Sequence, residues 1–81
     1  MKLNVQLFAA AREAAGDSPI TLELADGATV ADLRNCLVED VPNLESLANV
    51  LLVAVNNEYA AETQSLCDSD TVACFPPVSG G

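Results

Sequence analysis

The sequence predicts an α+β fold, in which one main helix packs on one face of a mixed β-sheet. Three observations carry this. Lys2–Phe8 alternates strictly, with Leu3, Val5 and Leu7 on one face and Asn4, Gln6 and Phe8 on the other, as in a strand with one buried side. After Thr29, the residues Val30, Leu33, Cys36 and Leu37 fall on a single stripe at helical spacing. Val50–Val55 is almost continuously apolar and rich in valine and leucine, which suits an inner strand lying under that helix. One amphipathic helix over one face of a sheet is the simplest core for this pattern.

The remaining elements follow in order. Ala9–Ala15 is alanine-rich and ends at Gly16, which predicts a short helical turn with a glycine cap. Asp17-Ser18-Pro19 restarts the chain, and Ile20, Leu22 and Leu24 alternate with Thr21 and Glu23 as a second strand. Ala25-Asp26-Gly27-Ala28 turns into the main helix, where Thr29 and Asp32 fit a capping box with Asp in place of the longer Glu. Pro42 ends that helix at or before Val41. Asn43 is expected to cap a further short turn through Leu44–Leu47, packed loosely on the body. Asn56-Asn57 makes a tight turn, because Asn tolerates positive φ. Residues 58–66 form a short strand or irregular return, Asp68-Ser69-Asp70 is a turn, and Thr71–Phe75 is the last strand, with Val72 and Cys74 facing one way.

Length and composition bound the function. Eighty-one residues make one domain, 1–81, with a tail over 76–81. The apolar fraction of 51% suits a folded globule. No apolar run is long enough for a membrane span and no signal-peptide pattern opens the chain, so a cytoplasmic location is expected. The net charge is −9, with Lys2, Arg12 and Arg34 the only basic residues. That argues against nucleic acid and anionic membranes as partners, and suits a partner with a basic docking surface. Three cysteines without metal-ligand spacing, and no histidine, predict no metal site. Cys36, Cys67 and Cys74 are expected to be reduced and mostly buried, with loop residue Cys67 the candidate for reactivity. Nothing in the chain forms a catalytic constellation or a phosphate-binding loop.

The most informative stretch is the ending Phe75-Pro76-Pro77-Val78-Ser79-Gly80-Gly81. Two prolines favour an extended spacer and forbid a continued central strand. Two glycines make a thin terminus that fits a narrow channel, and a Gly-Gly end arises by chance only about once in two hundred sequences. The group presented is the carboxylate of Gly81. This ending resembles that of the small subunit of molybdopterin synthase, a ubiquitin-like sulfur carrier. Leu7-Phe8-Ala9 with Arg12-Glu13 and Gly16, Gly27-Ala28-Thr29-Val30 with Leu33, and Ala54-Val55-Asn56 resemble further stretches of that family, so the similarity runs from end to end. The chain departs from it at Asp68-Ser69-Asp70, where the family usually has glycine between the acids, and at Cys74, where an aromatic residue is common.

The resemblance implies a β-grasp fold, with the first and last strands adjacent and parallel. It also implies that the chemistry at Gly81 is done by partners. A ubiquitin-activating-like adenylyltransferase would adenylate the Gly81 carboxylate with ATP. A sulfur donor protein would then convert it to a thiocarboxylate. The tail, through Pro77, Val78, Ser79 and Gly80, would insert into the large subunit of molybdopterin synthase, where the catalytic residues are expected. There it would donate sulfur to cyclic pyranopterin monophosphate in molybdenum cofactor biosynthesis. The chain itself would bind no cofactor. Parallel first and last strands also bring Phe8 and Phe75 together on the face away from the helix. These form an expected partner interface floored by Ala73, Ala54 and Leu52, with Arg12 as a charged anchor at its rim. A sulfur carrier for thiamine or tRNA thiolation, a ubiquitin-like protein modifier, and a plain binding module with an inert tail remain open alternatives.

Overall fold

The computed structural model of the chain describes residues 1–77. Its elements are β1 (Lys2–Leu7), α1 (Ala9–Ala15), β2 (Ile20–Glu23), α2 (Val30–Asp40), a 3-10 turn (Pro42–Leu44), α3 (Glu45–Ala48), β3 (Leu52–Val55), β4 (Glu58–Tyr59) and β5 (Val72–Phe75). The strands form one sheet in the order β2-β1-β5-β3-β4. β1 and β5 run parallel at its centre, with Val5 opposite Val72 and Leu7 opposite Cys74. The other pairings are antiparallel. This is the β-grasp arrangement.

Alternation decides which side of the sheet is buried. Leu3, Val5, Leu7, Leu22, Val53, Val55, Val72 and Cys74 point into one core with Val30, Leu33 and Leu37 of α2. Burying each such aliphatic side chain contributes roughly 1.5–3 kcal/mol. The start of α2 is closed from two directions. Thr29 Oγ1 accepts from the Asp32 amide at 3.3 Å, and Asp32 Oδ2 accepts from the Thr29 amide at 2.9 Å, so the shorter acid completes the capping box. The amides of Val30 and Ala31 donate to the carbonyls of Gln64 and Glu62, and Leu66 donates to Ala28. The irregular return after β4 thereby straps the helix N-terminus, whose first amides have no partner within the helix.

The segment after Pro42 is firmer than its sequence suggests. Leu44 and Ala48 are fully buried, and Asn43 does not cap a helix. Its Nδ2 donates instead to the Ala14 carbonyl at 3.3 Å, tying this turn to α1. Asn56 and Asn57 take φ of 53° and 70° and join β3 to β4. The turn at residues 68–70 needs no glycine, because positive φ among the described non-glycine residues is confined to Ala9, Asn56 and Asn57. Asp70 closes that turn itself, accepting from the Cys67 amide at 2.8 Å while its own amide donates to the Cys67 carbonyl. Asn56 then clasps the two turns together, donating to Asp70 Oδ1 and accepting from the Thr71 amide, each at 3.0 Å.

Arg34 lies off the apolar stripe of α2, yet its side chain is only 16% exposed. Nη1 donates to the carbonyls of Ala48 and Leu51 at 2.7 and 2.6 Å, and Nε donates to Glu62 at 2.7 Å. One guanidinium thus joins α2, the end of α3, the approach to β3 and the strap. The carbonyls are the partners that matter, because Glu62 is half-exposed and an exposed ion pair is worth at most about 1 kcal/mol. All three cysteines are free thiols, but only Cys74 is buried; Cys36 is half-buried and Cys67 exposed. Burial pushes the Cys74 thiol up from 9.0 to about 12, an effect that the Arg34 guanidinium only partly offsets. Burial, then the charges of Asp40 and Glu39, raise Cys36 as well.

Two outcomes are expected. Arg34→Met should cost about 2–4 kcal/mol in urea unfolding, because it strands two carbonyls, whereas Glu62→Gln should cost no more than about 1 kcal/mol. Cys74 loses its proton more easily in the unfolded chain than in the folded one. Its contribution to stability is therefore complete below pH 9 and lost as pH rises toward about 12. Unfolding followed across that range should show the decline, and Cys74→Val should flatten it.

Candidate functional site

The outer face of the sheet, away from α2, divides into an apolar and a polar half. Phe8 builds the apolar half together with β3, β4 and β5. Phe8 is still extended, with φ −126° and ψ 153°, and its amide donates to the Cys74 carbonyl at 3.2 Å, one step beyond the parallel ladder. Its ring therefore follows the outward set of β1. The next residue, Ala9, turns the chain into α1 with φ 52°, a left-handed conformation that costs a residue bearing Cβ about 1–2 kcal/mol. The Phe8 carbonyl then accepts from the amides of Ala11 and Arg12 at the start of α1.

Phe8 and Phe75 meet edge to face, with ring centroids 6.3 Å apart and planes inclined by 72°. Tyr59 lies on the other side of Phe75, at 5.9 Å and 55°. These three rings, with Ala54, Ala73 and Asn57, line an open hollow of about 390 Å³. Phe8 is 48% and Tyr59 72% exposed, and Leu52, paired with Phe75 across β3 and β5, is also exposed. Aromatic pairs hold one another at roughly 0.5–1.5 kcal/mol each, so the cluster is preformed. An exposed patch of this kind is the usual mark of a protein-binding surface.

The other site residues fall as follows. Arg12 is exposed and lines a separate shallow depression with Ala9, Glu13 and Gly16, beside the aromatic hollow but not in it. Pro76 is half-buried and Pro77 exposed, directly after the strand that carries Phe75. Val78, Ser79, Gly80 and Gly81 lie outside the described residues. Tyr59 is the member that the sequence reading missed. The signal was present: a two-residue turn at Asn56-Asn57 sets Tyr59 opposite Ala54 and so on the same face. The polar half carries Lys2, Asn4, Gln6 and Thr21, which line a second hollow with Asp68, Asp70 and Thr71. Among the described residues no three His, Cys, Asp or Glu side chains come together as a metal ion would require, and no helix is long and apolar enough to cross a membrane.

Comparison with known proteins gives this geometry its context. The molybdopterin synthase sulfur carrier subunit of Chlamydomonas reinhardtii is 40% identical over 83 residues, with all of both chains covered. Small archaeal modifier protein 1 of Haloferax volcanii is 37% identical, covering 94% of this chain and 97% of that one. The crystal structure of SAMP1 from Haloferax volcanii superposes with a TM-score of 0.87 at 35% identity, over the full length of both chains. The sheet order, the end-to-end likeness and a match of residues 5–81 to the family's model agree: the chain belongs to the ThiS family.

Proposed function

We propose that this chain is the sulfur carrier subunit of a molybdopterin synthase. The observation that carries the reading is a Gly-Gly terminus placed six residues beyond a central strand whose end bears an exposed aromatic cluster. Full-length relatives named as molybdopterin synthase sulfur carrier subunits support it. In this reading the Gly81 carboxylate is adenylated with ATP by a ubiquitin-activating-like enzyme. A bare carboxylate resists nucleophiles, whereas a mixed anhydride with phosphate has a good leaving group. A sulfur donor protein then displaces AMP, leaving a thiocarboxylate whose polarizable sulfur attacks the pterin precursor in the large subunit. The carrier departs as carboxylate and is charged again.

The body of the protein contributes recognition. The Phe8, Tyr59, Phe75 and Leu52 surface docks on the large subunit and sets the tail at the mouth of its channel. The excess of carboxylates draws the carrier toward a basic surface and speeds encounter. A second reading, conjugation to lysines as a protein modifier, is favoured by the Haloferax volcanii relative and begins with the same activation.

Two experiments test these roles. Intact mass after incubation with ATP, a sulfur source and the activating enzyme should show one oxygen-to-sulfur exchange at Gly81, absent from a chain lacking Gly80 and Gly81. An unaltered mass across candidate activating enzymes would refute the carrier reading. Phe75→Asp and Tyr59→Ser should each weaken binding to the large subunit by about 10-fold or more while leaving the fold intact, because both residues face outward.

A further inference from the structure

The outer face carries a second chemical feature on its polar half. An activated Gly81 is an electrophile, and the nucleophiles that capture it best as stable products are amines. This chain holds one lysine, Lys2. The other primary amine, that of Met1, is already engaged. It donates to the Leu24 carbonyl at 2.6 Å and lies 3.8 Å from Asp26, on a residue whose side chain is 6% exposed. Lys2 is exposed, stands opposite Glu23 in the β1–β2 pair and borders the polar hollow. Among the described residues no carboxylate lies within ion-pair distance of it.

We propose that Lys2 is a modification site, acylated by the activated Gly81 of a second copy of this chain. The inference rests on the activation of Gly81 proposed above. In the step, the neutral Nζ of Lys2 attacks the acyl carbon of the partner copy's adenylate. A C–N bond forms, the bond from that carbon to the phosphate oxygen breaks, AMP leaves with the electron pair, and the surplus proton passes to solvent. The product is an isopeptide-linked dimer whose first copy still has a free terminus.

Register makes the linkage intermolecular. Leu7 lies level with Cys74, so Lys2 stands about 20 Å down the sheet from Phe75, six residues at the rise of a strand. The tail sets out in the opposite direction through two prolines, and the four residues after them span at most about 14 Å. The division of the outer face also matters. Lys2 lies on the half that the aromatic hollow leaves uncovered, so one copy can accept an acyl group while its aromatic surface is docked.

The test uses the full chain in two forms, charged by the activating enzyme with ATP, and prepared as a Gly81 thioester by intein cleavage. Both should yield a species of twice the 8.4 kDa chain less one water, with peptide mapping placing the C-terminal peptide of the second copy on Lys2. Lys2→Arg keeps the charge and the strand but should abolish the dimer. Hydroxylamine added to a parallel thioester sample should capture Gly81, which establishes that the electrophile is live. Linkage to the Met1 amine, a cyclised monomer, or no dimer from a live thioester would overturn the proposal. A dimer from the thioester but not from the enzyme and ATP would uphold Lys2 as acceptor and count against the activation reading.

Discussion

The parallel pairing of β1 with β5 is the constraint on which the rest of this molecule depends. Parallel neighbours cannot be joined by a tight turn, so everything between them acts as one long crossover. That crossover supplies α2 for one face of the sheet and adds β2 and β3 as the flanking strands. The same pairing aligns the ends of the two central strands, which is why the amide of Phe8 reaches the carbonyl of Cys74 and the two phenylalanine rings touch. A register slip of one residue would turn Phe75 into the core and Cys74 out of it.

The crossover is held by polar contacts as much as by its apolar core. Arg34 gathers carbonyls from segments distant in sequence, and the strap over 61–66 satisfies the open end of α2. The chain has three basic side chains, and it commits one of them wholly to internal bonds. That choice leaves the surface more acidic than the composition alone conveys. Twelve carboxylates face solvent or turns; Arg34 pairs with one of them, Glu62, the Met1 amine lies near another, Asp26, and Lys2 and Arg12 are the exposed basic side chains. Such a surface favours encounter with basic ones.

Much of the fold was legible in the sequence because alternation and helical spacing are local signals. The capping box at Thr29, the Asn56-Asn57 turn and the inward set of β1 could be read residue by residue. The shared outward placement of Phe8 and Phe75 followed from the same alternation once the two strands were taken as parallel. What escaped depends on contacts between distant segments. Leu44 is buried because a tight turn meets α1 and α2, which no periodicity over three residues reveals. The internal role of Arg34 escaped because a helical wheel records direction but not the reach of a long side chain. Tyr59 sits on a strand of two residues, too short to alternate, and its place comes from the turn before it. The site was half legible for a related reason: the ending announces itself in sequence, whereas its aromatic setting is assembled from three strands and the residue that follows the first.

The geometry of the central pair also governs how the molecule bears load. β5 is the last strand and is hydrogen-bonded on both edges, to β1 and to β3. Tension applied through the tail is therefore carried by two ladders in shear, whose bonds must fail together and not one after another. Under the proposed function, in which other proteins seize and release the tail, this arrangement is an advantage, because under force the survival of the body is set by its unfolding rate and not by its equilibrium stability.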